Sequence, residues 1–169
     1  MSNVTTAAIV GAGAWGTTLA AHLDSIGVSI RLVTRDVDHA TAIRDVRENE
    51  RYLPGVTLSP SITVTSDLTA GVAAAGAVFV VVPSQAVREV AEQLRWTLAS
   101  EALVVSCAKG LERATLTRLS EVLGDAGEIS ASRVAVLSGP NLSGEIARGL
   151  HASAVVASAD DATAVEVQS

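Results

Sequence analysis

Short apolar runs alternate along the chain with longer stretches of helical spacing. Residues 4–10 form an apolar run ending in glycine, and apolar positions at helical intervals fill 14–26. Gly27 then marks a stop, as a glycine just past the last turn does. The alternation continues with a strand over 28–33, a helix over 36–48 with Asp36 as N-cap, a weak strand over 62–65, a short helix over 67–75 and a strand over 77–82. Beyond Pro83 the pattern predicts a helix over 84–98, a strand over 102–107 and a helix over 115–123. A strand over 133–137, a short helix over 141–148 and a strand over 152–157 follow. Asp160 starts a last helix that the chain end at Ser169 is expected to cut short. Residues 49–60 contain two prolines and read as loop.

Strands alternating with helices predict an α/β fold, a doubly wound parallel sheet with both faces covered. Several predicted strands are uncharged along most of their length, as doubly covered strands should be. With no repeat, low-complexity tract or linker in the sequence, residues 1–169 read as one domain.

Composition changes the picture in three places. Hydrophobic residues make up 49% and charged residues 18%, enough to bury a large core and exclude disorder for most of the chain. Aromatics are only 2%, so that core must be Val, Ile, Leu and Ala. A net charge of -6 leaves no basic excess for a nucleic-acid backbone, and no such partner is expected. The single cysteine can form neither an internal disulfide nor a cysteine zinc cluster, which fits a cytoplasmic protein. His22, His39 and His151 have no metal-ligand spacing, so no metal site is expected. His22 and His39 read as surface residues of helices, and Trp96 as a helix residue facing the sheet. The uncharged stretch 68–87 is long enough for a bilayer, but Gly71, Gly76, Pro83, Ser84 and Gln85 interrupt it, and no membrane span is expected. The apolar N-terminal stretch has no Lys or Arg before it, unlike a signal peptide.

Gly11-Ala12-Gly13-Ala14-Trp15-Gly16 fits G-x-G-x-x-G, with a strand before it and an amphipathic helix and second strand after it. That is the context of a dinucleotide-binding Rossmann unit. Gly11 would allow the tight turn, Gly13 would let backbone approach a pyrophosphate, and Gly16 would let helix pack on strand. Unpaired N–H groups at the helix start would face the phosphates. The plain alternative is a tight turn that binds nothing. The second strand ends Val33-Thr34-Arg35-Asp36, with no clear acid at the ribose-reading position. Arg35 could pair with a 2′-phosphate and stack on adenine, which favours NADPH while NAD remains open. Otherwise it is a solvated arginine beside a helix cap.

Ligands of an open parallel sheet collect beyond the carboxyl ends of its strands. Pro83 stands at one such end and either packs against a flat ring or only stops the strand, with Ser84 as a cap. Lys109, the one lysine of the chain, stands at another, where an ammonium could hold a phosphate or polarise a carbonyl oxygen. Cys107 has no histidine near it in sequence and reads as a small buried side chain. At a third end, Gly139-Pro140 leads to Asn141 and Ser143 near a helix start, a second anion site or ordinary capping. Two anion sites would suit a phosphorylated substrate.

Taken in order, GAGAWGTTLA, ENERYLPGV, VVVPSQAVREV, AKGLE and LSGPNLSGEIA resemble the bacterial NAD(P)-dependent sn-glycerol-3-phosphate dehydrogenases over nearly the entire chain. AKGLE with SGPN is far more specific than the glycine loop. The resemblance implies reversible hydride transfer between dihydroxyacetone phosphate and glycerol 3-phosphate, feeding phospholipid synthesis. It implies that Ala14, Trp15 and Arg35 contact the cofactor, that Lys109 touches cofactor and substrate, and that Gly139 and Asn141 lie at the substrate. Ser143 matches a cofactor-contact position that is usually alanine, and Tyr52 an aromatic of the family loop. Ala14 replaces a frequent serine, so only backbone can serve there, and Asn141 replaces a frequent serine or threonine.

The family continues into a helical domain that supplies a catalytic lysine in a Lys-Asn motif and most phosphate ligands. By this resemblance the family's base lies beyond Ser169, and Lys109 is the sole lysine before it. The expectation is therefore a cofactor-binding domain without a catalytic residue of its own, which binds nucleotide but turns over little. A homodimer of the full-length enzyme is allowed, and apolar surface meant for the second domain would favour self-association. Two alternatives stand beside this reading. One is a related reductase such as a ketopantoate reductase or hydroxyacid dehydrogenase, against which the SGPN turn argues. The other is a non-catalytic NADP(H)-sensing module.

Overall fold

A computed structural model describes residues 4–169. The first half runs β1 (Thr6–Val10), α1 (Ala14–Ser25), β2 (Ser29–Val33), α2 (Val37–Val46), β3 (Glu48–Asn49), β4 (Leu53–Thr57), β5 (Thr63–Thr65), α3 (Leu68–Val72) and β6 (Ala77–Val80). The second half runs α4 (Val87–Leu94), β7 (Leu103–Ser106), α5 (Leu119–Gly127), β8 (Val134–Ser138), α6 (Ser143–Ile146), β9 (Val155–Ser158) and α7 (Asp161–Gln168). A helix starts at Asp160 as the sequence predicts, and the Asp160 side chain caps it by accepting the Thr163 N–H at 2.8 Å. Ser169 follows its last turn, and the Ser169 N–H donates to the Val165 carbonyl oxygen at 3.1 Å.

Seven strands form the main sheet in the order β5-β2-β1-β6-β7-β8-β9. The chain winds outward from β1 in one direction, returns to β6, and winds outward in the other. The order reverses between β1 and β6, and their carboxyl ends bound a crevice at that switch point. Strand β1 sends Ala7 and Ile9 into one core and Ala8 and Val10 into the other. In β6, Phe79 faces the first core while Val78 and Val80 face the second. All four β6 residues are buried, which is why that segment carries no charge. Helices α1 and α2 cover the first face through Leu19, Ala20, Ala40 and Ile43. Helices α3, α4 and α5 cover the second through Val72, Val87, Ala91, Leu94, Val122 and Leu123. Among the described residues, no helix is long and apolar enough to cross a membrane.

The structure corrects the sequence reading in five places. The predicted loop 49–60 contains most of the β3–β4 hairpin, anchored by buried Leu53 and Leu58. Pro54 is tolerated because a two-stranded ribbon is all edge. Strand β9 runs antiparallel to β8, with Ser138 opposite Val155. The link between them, residues 139–154, forms no crossover helix along the sheet: its one helical turn, α6, is tied to α1 by the Thr18 hydroxyl. The helix placed over 115–123 begins at Leu119, because buried Glu112 accepts hydrogen bonds from Arg88 and Thr115 and holds the preceding residues in a closed loop. Trp96 is 78% exposed: α4 ends at Leu94, and Trp96 lies off its buried stripe with the Arg95 guanidinium over its ring. His39 is buried, since partners on the hairpin and at the end of β2 satisfy both ring nitrogens.

Candidate functional site

The glycine loop joins β1 to α1 at the switch point. Gly11 has φ +116, and a Cβ there would stand 2.3 Å from the Val81 carbonyl oxygen. A Cβ on Gly16 would stand 1.9 Å from the Gly11 carbonyl oxygen, so α1 meets the loop backbone directly. Both positions require glycine for packing alone. Gly13 differs. It is extended, with φ -78, and a Cβ there would meet nothing within 4 Å. The empty space beside Gly13 belongs to a cleft, and it leaves room for a ligand to lie against the backbone.

That cleft has a volume of about 580 Å³. Gly13, Ala14, Trp15 and Gly16 line it from the loop and α1, Pro83 and Ser84 from the end of β6, and Lys109 and Asn141 from the ends beyond β7 and β8. Sequence reasoning named all of these except Ser84 as site residues. Gly11, the first residue of the loop, is not among the lining residues and packs against the Val81 carbonyl. Gly139 is tied to the lining, since the Lys109 Nζ donates to its carbonyl oxygen at 2.6 Å. A Cβ on Gly139 would stand 2.6 Å from the Ser153 carbonyl oxygen, which explains that glycine by backbone packing.

Arg35 and Ser143 are not among the lining residues. Arg35 is exposed just past the end of β2. Ser143 opens α6, and its carbonyl accepts a hydrogen bond from the Thr18 hydroxyl at 3.2 Å, which ties α6 to α1. Helix α6 is one turn of four residues capped by Leu142 without a side-chain bond. It supplies no helix dipole of consequence, so the expected anion site at its start loses that part of its basis. The Ser84 hydroxyl caps no helix either; it accepts from the neighbouring Gln85 side chain at 3.0 Å.

Among the described residues, Lys109 is the one charged side chain lining the cleft. Its loop is held from α4 and the turn before it. Gln85 donates to the Leu111 carbonyl at 3.1 Å and accepts from the Arg113 N–H at 3.1 Å. Arg88 pairs with Glu112 through two hydrogen bonds of 2.7 and 2.9 Å. The Arg88 guanidinium, with the Thr115 hydroxyl, lowers the Glu112 carboxyl to about 2. Cys107 also lines the cleft, but burial pushes its thiol up to about 12, so it is no nucleophile near neutrality. Past the end of β2, Asp36 caps α2 by accepting the His39 N–H at 3.0 Å and pairs with Arg51 at 3.4 Å. The His39 backbone bond holds the Asp36 carboxyl below its usual range, with Arg51 adding to the effect. Tyr52 packs edge-on against His39 with ring centroids 5.4 Å apart, and the Arg51 guanidinium lies 5.1 Å from the Tyr52 ring centre.

Fold and cleft together define a Rossmann-like doubly wound domain. Residues 6–164 match the family described as NAD-dependent glycerol-3-phosphate dehydrogenase N-terminus, and the chain belongs to that family. It is 44% identical over 160 residues to "Glycerol-3-phosphate dehydrogenase [NAD(P)+]" of Corynebacterium glutamicum, covering 95% of this chain and 48% of that protein. It is 49% identical over 160 residues to the protein of the same name from Deinococcus radiodurans, covering 95% and 46%. The solved glycerol-3-phosphate dehydrogenase of Coxiella burnetii superposes with a TM-score of 0.89 at 30% identity, over 97% of this chain and 50% of that one. The chain thus spans about half the length of the relatives it matches.

Proposed function

We propose that this chain is the cofactor-binding half of an NAD(P)-dependent glycerol-3-phosphate dehydrogenase. The observation that carries the reading is one cleft that joins the open backbone at Gly13 to the chain's sole lysine. Gly13, Ala14 and Trp15 would hold the pyrophosphate against the start of α1, whose first N–H groups are free of intrahelical partners. Gly11 and Gly16 let that helix start lie over the sheet. Arg35 would face the adenosine ribose and pair with a 2′-phosphate, which favours NADPH over NADH. Pro83 would pack against the nicotinamide ring, and Ser143 would keep α6 against α1 beside the cofactor.

When bound, the nicotinamide supplies or accepts the hydride. The chain's own part is orientation and charge. The Lys109 ammonium stands between the cofactor lining and the Gly139 carbonyl, where it can polarise a substrate carbonyl or hold its phosphate. Asn141 offers hydrogen-bonding groups on the same wall. The substrate pair is dihydroxyacetone phosphate and glycerol 3-phosphate, in the cytoplasm. The lysine base that the resemblance assigns to the family's other half, beyond Ser169, has no counterpart in this sequence, because Lys109 is the one lysine. The 169-residue chain should therefore bind NADPH without oxidising it when dihydroxyacetone phosphate is added. Absence of nucleotide binding would sink the cofactor reading; turnover well above background would sink the division of labour.

A further inference from the structure

Asn49, on the hairpin, is fully buried and stands outside the cleft lining. Its amide nitrogen faces the Ala12 carbonyl oxygen at 2.9 Å and Thr17 Oγ1 at 2.7 Å. A carbonyl can only accept, so the atom facing Ala12 is the donating Nδ2, and Oδ1 must be the atom 2.9 Å from His39 Nε2. That assigns the ring. Nε2 carries the hydrogen, and in the neutral imidazole Nδ1 accepts from the Thr34 hydroxyl at 3.3 Å. Thr34 Oγ1 accepts in turn from the Asp36 N–H at 3.4 Å. A directed line of hydrogen bonds thus runs from the end of β2, through α2 and the hairpin, to the glycine loop.

The Ala12 carbonyl and the Gly13 N–H belong to one planar trans peptide, so they point in opposite directions. Holding the carbonyl therefore aims the N–H. Gly13 borders the cleft, and its N–H donates to no partner among the described residues. The side chain at this peptide is the Ala12 methyl, buried in the core, and a methyl group on Cα does not by itself set the rotation of the peptide plane. Its other restraints are the Gly11 N–H to the Val33 carbonyl at 2.8 Å and the Thr17 N–H to the Gly13 carbonyl at 3.0 Å.

We propose that Asn49 and His39 are positioning residues for the dinucleotide: they fix the Ala12–Gly13 peptide so that the Gly13 N–H is presented to the pyrophosphate. The inference rests on the cofactor reading above. It is tested by titrating the 169-residue chain and variants with NADPH and with adenosine 2′,5′-bisphosphate, which has the ribose end but no pyrophosphate. Asn49→Asp keeps the shape and loses both donors. It should weaken NADPH at least tenfold and the bisphosphate less than threefold. His39→Gln, whose amide can replace the Nε2 donor, should stay within threefold of the parent for both ligands, while His39→Leu should lose NADPH as Asn49→Asp does. Should Asn49→Asp fail to fold by circular dichroism, the histidine pair carries the same comparison. Equal loss of both ligands, no loss of NADPH, or His39→Gln and His39→Leu behaving alike would overturn the proposal. A parent chain that binds neither ligand would instead overturn the cofactor reading, and this inference with it.

Discussion

The Lys109 ammonium donates to the Gly139 carbonyl oxygen at 2.6 Å, tying the loop after β7 to the end of β8. The bond holds the chain's sole lysine at the cleft wall, where a flexible four-carbon stem would otherwise sample solvent. Lys109→Ala is expected to weaken NADPH about tenfold, the scale of one charge-assisted hydrogen bond. Acylation with an amine-directed reagent should modify only Lys109 and the N-terminal amine, and saturating NADPH should protect Lys109. Peptide mass spectrometry reads both sites, and undiminished labelling of Lys109 would remove it from the cofactor site.

Three glycines of one motif should respond differently to the same methyl group. Gly16→Ala places its Cβ on the Gly11 carbonyl oxygen, so backbone must move, and a loss of about 3 kcal/mol or more is expected. Gly11→Ala meets the Val81 carbonyl and has φ +116, so it should lose at least as much. Gly13→Ala meets nothing and sits at φ -78, so stability should hold or rise by about 0.5 kcal/mol. Thermal melts of the three variants decide this, and a Gly13→Ala variant that unfolds would contradict the open geometry.

Arg35 is the residue proposed to choose between the two cofactors. Arg35→Ala should weaken NADPH about tenfold and leave NADH nearly unchanged, because only one of them carries the 2′-phosphate the guanidinium would pair with. Parallel titrations test this, and equal losses for both would make Arg35 a general anchor.

Glu112 carries a specific acid sensitivity. Arg88 and Thr115 lower its carboxyl from 4.5 to about 2 in the folded chain. A lowered folded value means the stabilisation is complete above the unfolded value and is lost as pH falls from about 4.5 toward 2. Glu112→Gln should lower the melting temperature at pH 7 and flatten its fall over that acid window. A variant whose melting curve tracks the parent at every pH would show that the Arg88–Glu112 pair does not hold the Lys109 loop.

The glycine loop, the switch-point strands and the Lys109 turn were legible in the sequence because their signals are local. Each is an apolar run, a glycine or a lone charge at a predicted strand end. Asn49 was not legible, since its partners Ala12 and Thr17 lie 37 and 32 residues away in sequence and no local pattern marks a buried asparagine. His39 has nearer partners, Thr34 and Asn49 at 5 and 10 residues, but a polar residue on a helix reads as surface until the hairpin folds back to satisfy it. The direction of β9 was hidden because alternating apolar residues specify a strand and a face but not the sense in which it runs. Trp96 shows the limit of helical spacing once a helix stops a turn early.

The most direct test of the central claim is a fluorescence titration of NADPH into the 169-residue chain beside Gly13→Ala, both shown folded by circular dichroism. Saturable one-site binding to the parent is expected, with loss of that binding when the methyl group fills the space beside Gly13. Equal binding by both proteins, or no binding by the parent, would contradict a pyrophosphate seat at Gly13.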